Sequence, residues 1–147
     1  IPLHGICTHD AIAAAAELPI DPAAAAEEAT ALVATDARRK EIYWATYRAT
    51  DSGVQRISGP AVTKPAELEV ELASTAEVII PDRLAEQLPE RLAALPHRAA
   101  HPSATALVAA ADLEAEPAPV VPLYLRRPDA VPPKQQQLSA AIPRVEL

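Results

Sequence analysis

The chain has 147 residues, half of them hydrophobic but only 3% aromatic, with no Phe, one Trp and three Tyr, so its core must be built from small aliphatic side chains. The 13 Lys and Arg against 20 Asp and Glu leave a net charge of −7, which argues against a stand-alone nucleic-acid grip because phosphate binding needs a positive surface. A single cysteine, Cys7, excludes an intrachain disulfide framework and a Cys-based four-ligand zinc site. No apolar run approaches the roughly 18 residues of a membrane span, and the first residues lack the basic segment of a signal peptide. The chain has no Met and begins at Ile1, so a processed or cut N-terminus is expected.

Residues 1–7, IPLHGIC, read as a short apolar strand. Thr8 or Asp10 is suited to cap a helix running to about Leu18, since an oxygen side chain satisfies orphan amides at a helix start. Pro19 is expected to stop it. Asp21 and Pro22 then suggest a second helix start before AAAAEEATA, although a flexible insertion fits that stretch equally. ALVATD predicts a buried strand. EIYWATYRAT predicts another, with Ile42, Trp44 and Thr46 on one face and Tyr43, Ala45 and Tyr47 on the other. The polar stretch Asp36, Ala37, Arg38, Arg39, Lys40 between them reads as the connection of an antiparallel hairpin. A turn at Asp51, Ser52, Gly53 leads into a third strand, VQRIS, which Gly59 and Pro60 are expected to end.

Pro65 opens a short predicted helix with Leu68 and Leu72 on one face. EVII is a compact strand. Leu84, Leu88, Leu92 and Leu95 recur at helical spacing and predict an amphipathic helix over 81–95, kinked or broken at Pro89. Ser103 is suited to cap a helix reaching about Leu113. A Pro-rich connector follows, then PLYLRRPDA, with Leu123 and Leu125 on one side and Tyr124 on the other. Residues 128–147, rich in Pro and Gln, are expected to be disordered.

Three glycines cannot build a P-loop or a GxGxxG turn, both of which need backbone without Cβ beside phosphates. His97 and His101 have HxxxH spacing, but Pro96 and Pro102 bracket them, so a surface or loop position is favoured over a metal site. Cys7 reads as a buried structural thiol rather than a nucleophile, and His4 and His9 carry an equally ordinary reading. The run from Asp36 to Glu41 is a solvated hairpin tip or, alternatively, a docking surface, since Arg makes forked bonds to carboxylate or phosphate. Arg126 and Arg127 invite the same comparison.

IPLHGICTHDAIAA, ALVATDARRKEIYWATY, GPAV, PSATALVAAA and PLYLRRPDA, in this order and spacing, resemble the C-terminal part of the TsaB (YeaZ) family, its actinobacterial members especially. The resemblance implies one lobe of the two-lobe actin-like ATPase fold (RNase H-like): an α/β unit with a small mixed sheet and packed helices. It covers about residues 1–130. Residues 1–127 would be the C-terminal lobe, with 1–7 a strand belonging to the N-terminal lobe, whose DTAT-like and GPGPFTGLR-like blocks have no counterpart here. The family is a non-catalytic partner in forming threonylcarbamoyladenosine next to the tRNA anticodon, acting with TsaD, which carries the metal-binding histidines, and with TsaE.

The resemblance thus implies a cytoplasmic scaffold that uses no cofactor and has no catalytic, cofactor-binding or metal residue of its own. Asp36, Arg38, Arg39, Glu41, Tyr43, Trp44, Tyr124, Arg126 and Arg127 are its signature positions, structural or docking. Homodimerisation, no membrane association and no direct RNA contact by this part are further expectations. The competing readings are a nucleotide-dependent transferase of the same superfold and a self-associating interaction module.

Overall fold

A computed structural model describes residues 1–18, 29–70, 74–117 and 119–126. The described elements are α1 (Thr8–Ala15), β1 (Thr30–Asp36), β2 (Ile42–Thr50), β3 (Gly53–Thr63), a 3-10 turn (Pro65–Glu67), β4 (Thr75–Ile79), α2 (Asp82–Ala85), α3 (Glu90–Ala93), β5 (His97–Arg98) and α4 (Ala104–Ala109). The five strands form one mixed sheet in the order β3-β2-β1-β4-β5. β1, β2 and β3 pair antiparallel, as the two turn signals require, while β4 adds parallel to β1 and β5 parallel to β4.

Alternation along the strands builds two cores. Leu32, Ala34, Ile42, Val78 and Ile80 point to one face and meet Leu68, Leu84, Leu88 and Leu92. Ala31, Val33, Ala45, Tyr47 and Ile79 point to the other and meet Ile12, Ala13, Ala16 and Leu18. β1 and β4 are therefore covered on both sides, which is why ALVA and VII are unbroken apolar runs. The predicted split of β2 holds: Ile42 and Trp44 face the first core, Ala45 and Tyr47 the second. α1 packs on the second face and carries α4 against it.

Several expectations are corrected. Residues 1–7 form no strand, because no described strand lies beside them to complete a ladder. Cys7, half-buried, is the N-cap of α1 and makes no side-chain capping bond, and the Asp10 carboxylate accepts from the Tyr47 hydroxyl at 2.7 Å instead of capping. α1 ends at Ala15, short of Leu18, where Glu17 turns into the left-handed region (φ 48°) and the Arg98 guanidinium binds the Ala16 carbonyl. Most of the second predicted helix, up to residue 28, lies outside the described residues, but its expected end at Thr30 and Ala31 is strand β1, paired with β2 and β4, and the 128–147 tail lies outside the described residues.

β3 does not stop at Gly59. It runs on to Thr63 through a break in register opposite Trp44–Thr46. Gly59 makes this continuation sterically feasible: its φ is +82°, and a Cβ there would lie 2.7 Å from the Trp44 carbonyl oxygen.

The helix expected after Pro65 is only one 3-10 turn. β3 and β4 run parallel three strand spacings apart, so the link must cross about 14 Å of sheet and return along it. A helix advances only ~1.5 Å per residue, against ~3.3 Å for extended chain. Leu68 is still buried, while Leu72 lies outside the described residues. The segment 81–95 is divided into α2 and α3, with Pro89 extended as the N-cap of the second. Ser103 does cap α4, accepting from the Ala106 amide at 3.1 Å. That helix stops at Ala109, before an Asp112 side chain that accepts from the Glu114 and Ala115 amides. Leu123 and Tyr124 are both exposed, so the expected two-sided alternation of that stretch is not realised.

Candidate functional site

The β1–β2 hairpin gathers most of the signature positions. Its tip closes with the Ala37 amide donating to the Glu41 carbonyl and the Glu41 amide donating to the Arg38 carbonyl, each at 3.0 Å. Arg38, Arg39 and Lys40 have φ of 65°, 55° and 62°. Three consecutive left-handed non-glycine residues cost roughly 1–2 kcal/mol each. All three side chains are exposed, while Ala37 is buried beneath them.

Carboxylates on either side hold this tip. Asp36 accepts from the Arg38 amide at 2.7 Å and from the Arg83 guanidinium of α2 at 3.0 Å. The Arg38 amide bond, followed by Arg83, holds the Asp36 carboxyl below its usual range. Glu41 pairs with Arg126, whose guanidinium also donates to the Ala37 carbonyl at 3.3 Å. Residues far apart in sequence thus become one strap across the hairpin base. Tyr124, two residues before Arg126, is 81% exposed. Arg127 lies outside the described residues. Trp44 packs against the first core, with a buried indole N–H that finds no acceptor among the described residues.

A second polar group was not legible in the sequence. His9 is buried beneath the hairpin strands, its Nε2 lying 3.3 Å from the Tyr43 carbonyl and 3.2 Å from the Thr35 hydroxyl. Burial lowers its pKa, partly opposed by the Tyr43 carbonyl and Asp10. Beside it, Tyr47 donates to Asp10, which also meets Arg56 at 3.4 Å. Burial and the Asp10 carboxylate push the Tyr47 hydroxyl far up. The only clue was that His9 and Asp10 fall in the first turn of an Ala-rich helix, where a polar pair on the packing side needs a partner. An apolar hollow of about 260 Å³ lies between Leu18, Ala31, Tyr47, Ala49 and Ala76. The polar side chains at its margin are already engaged, Tyr47 by Asp10 and Glu77 by Arg98.

His97 sits on β5 and His101 on the loop after it, both exposed, so the pair does not share a helix face and does not fit a metal. Among the described residues no three His, Cys, Asp or Glu side chains converge as metal ligands. None of the described helices is long and apolar enough to cross a membrane.

The family described as TsaD, tRNA N6-adenosine threonylcarbamoyltransferase, matches over residues 1–106. The chain belongs to the TsaD family. It is 40% identical over 133 residues to Rv3421c of Mycobacterium tuberculosis, covering 90% of this chain and 53% of that protein. It is 41% identical over 134 residues to ML0378 of Mycobacterium leprae, covering 90% of this chain and 31% of that protein. The chain thus spans about half, or less, of the length of these relatives. A crystal structure from Pseudomonas aeruginosa, of a protein with similarity to peptidase YEAZ, superposes with a TM-score of 0.65 at 23% identity, covering 85% of this chain and 59% of the other. The shared fold is that of an actin-like ATPase lobe. The YeaZ-like, actinobacterial resemblance read from the sequence agrees with both findings.

Proposed function

We propose that this TsaD-family chain is a TsaB-type, non-catalytic partner in forming threonylcarbamoyladenosine on tRNA, in the cytoplasm, working with TsaD and TsaE. The family match over residues 1–106 carries the tRNA-modification part of the reading, and the likeness to the YEAZ-similar protein supports the TsaB-type part. Two features support the non-catalytic part. The three glycines leave no room for a phosphate loop. The acids of the most distinctive motif, Asp36 and Glu41, are committed to Arg83 and Arg126 rather than offered to a reacting group.

The test is reconstitution with TsaD, TsaE, tRNA, ATP, threonine and bicarbonate, with modified adenosine counted by mass spectrometry. The chain alone is expected to give no product and no ATP turnover, and to raise product when added to TsaD and TsaE. Product or ATP turnover from the chain alone, abolished by changing one acid, assigns a nucleotide-dependent transferase instead. No effect on the TsaD–TsaE reaction removes the partner role.

A further inference from the structure

The last described stretch of the chain is exposed and apolar. Residues 119–124, PVVPLY, all stand in solvent. Val120, Val121, Leu123 and Tyr124 keep 61%, 75%, 61% and 81% of their surface open. The stretch belongs to no helix or strand and makes no backbone hydrogen bond to another described residue. One end is nevertheless held. Leu125 and Arg126 are half-buried, and Arg126 binds Glu41 and the Ala37 carbonyl.

Backbone chemistry restricts the form in which such a segment can be recognised. Pro119 and Pro122 have no N–H and hold φ at about −65°. Val121, which precedes a proline, is pushed toward extended conformations. A strand ladder would lack two donors here, and a helix would be broken at Pro122. The polyproline helix needs no internal hydrogen bond and keeps its backbone solvated. It repeats every three residues. Pro119 and Pro122 then share one edge, Val121 and Tyr124 a second, and Val120 and Leu123 the third. Segments of this kind dock into grooves lined with aromatic rings. A groove can touch two edges of a three-sided helix and must leave the third in solvent.

The composition of the chain says where that groove is found. Of its one Trp and three Tyr, Tyr47 is fully buried, Trp44 packs against the first core, Tyr43 is half-buried and Tyr124 lies on the segment itself. A second copy therefore has no aromatic lining to offer, and the groove belongs to a different protein. Charge defines its flank. Asp112, Glu114 and Glu116 precede the segment and are exposed, with no Lys or Arg from there until the anchored Arg126.

We propose that residues 119–124 dock, as a polyproline helix, into the aromatic-lined groove of a partner protein that carries basic residues beside the end receiving Pro119. The anchored end and the two prolines lower the ordering cost that a short segment must otherwise meet on binding. This adds a class of partner and does not rest on the tRNA reading.

The experiment titrates the full, isotope-labelled chain with a panel of isolated SH3, WW and EVH1 domains, each to about 1 mM, following the amides of Val120, Val121, Leu123 and Tyr124. At least one domain is expected to shift them. The double variant Pro119→Ala, Pro122→Ala should weaken that binding about ten-fold. Val121→Ala and Tyr124→Ala should each weaken it about five-fold, whereas Val120→Ala and Leu123→Ala, on the solvent edge, should change it less than about two-fold. Glu114→Gln with Glu116→Gln should flatten its dependence on salt. All these side chains are exposed, so unchanged urea midpoints confirm that the variants fold. The proposal is overturned if no domain of the panel shifts the segment, or if the double proline variant binds as the native chain does. Equal losses at Val120, Val121, Leu123 and Tyr124 also overturn it, and mark a merely adhesive apolar stretch. A dimer of the native chain in sedimentation equilibrium, lost in the double proline variant, overturns it in favour of a second copy.

Discussion

Replacing Gly59 by Ala tests how β3 is carried past its break in register. The new methyl would lie 2.7 Å from the Trp44 carbonyl oxygen and 2.9 Å from the Ala45 Cα, both backbone atoms of the neighbouring strand. Ordinary contact begins near 3.4 Å, so β2 and β3 must separate by more than half an ångström. A left-handed φ of +82° adds roughly 1–2 kcal/mol for a residue with a Cβ. Stretching one or two ladder hydrogen bonds adds about 1 kcal/mol each. The sum is about 3 kcal/mol, and with a urea slope of roughly 2 kcal/mol per molar the unfolding midpoint should fall by about 1.5 M. Urea unfolding followed by the fluorescence of Trp44, the single tryptophan, reads this at the perturbed residue itself. Gly5→Ala is the control: nothing lies within 4 Å of its Cβ position, and its midpoint should not move. If Gly59→Ala shifts the midpoint no more than Gly5→Ala, the close approach of the two strands is wrong.

Three other outcomes are expected. Leu92 is fully buried in the core beneath α3, so Leu92→Ala should cost about 2–5 kcal/mol, while Leu113→Ala, 58% exposed, should change stability by less than about 0.5 kcal/mol in the same urea assay. His9 is buried with its pKa lowered, so the unfolded chain takes up its proton first. Its contribution is whole above the unfolded value of about 6.5 and is lost as pH falls from there through the lower folded value, by at most about 1.4 kcal/mol per pH unit. Thermal midpoints should therefore drop more steeply below about pH 6.5 in the native chain than in His9→Gln; parallel curves would rule out a buried neutral imidazole packed near Asp10 and Arg56. Glu41→Gln removes the anion that holds Arg126, and trypsin cleavage after Arg126 should quicken while β4 stays protected. Equal protection with and without Glu41 would remove the strap.

The strands illustrate what could be read directly. In β2 the side chains alternate every residue, and each turn carried its own signal, so the meander and its two faces followed from sequence spacing alone. The end of β3 was misjudged because Gly followed by Pro ordinarily ends a strand. Only the approach of Trp44 and Ala45 explains why a glycine continues it. Leu84, Leu88 and Leu92 were recognisable as one buried set, yet whether they lay on one helix or two depended on the Pro89 backbone. The site divides in the same way. The cationic run was visible, whereas its left-handed backbone, the Arg83 and Arg126 partners and the His9 network involve residues far apart in the chain.

Composition by itself determined a small-aliphatic core and the absence of a phosphate loop, periodicity and turn signals marked out strands and helices, and the quoted motifs brought out the TsaB-like resemblance with its α/β lobe. These are properties of residue identity and short-range period, which no partner is needed to express. Tertiary structure decided that β4 lies parallel to β1, that residues 1–7 find no ladder, and that Arg83 and Arg126 close on the hairpin carboxylates Asp36 and Glu41. Pairing, burial and local field depend on which distant residues meet, and the sum of charges along a chain is indifferent to where folding puts them.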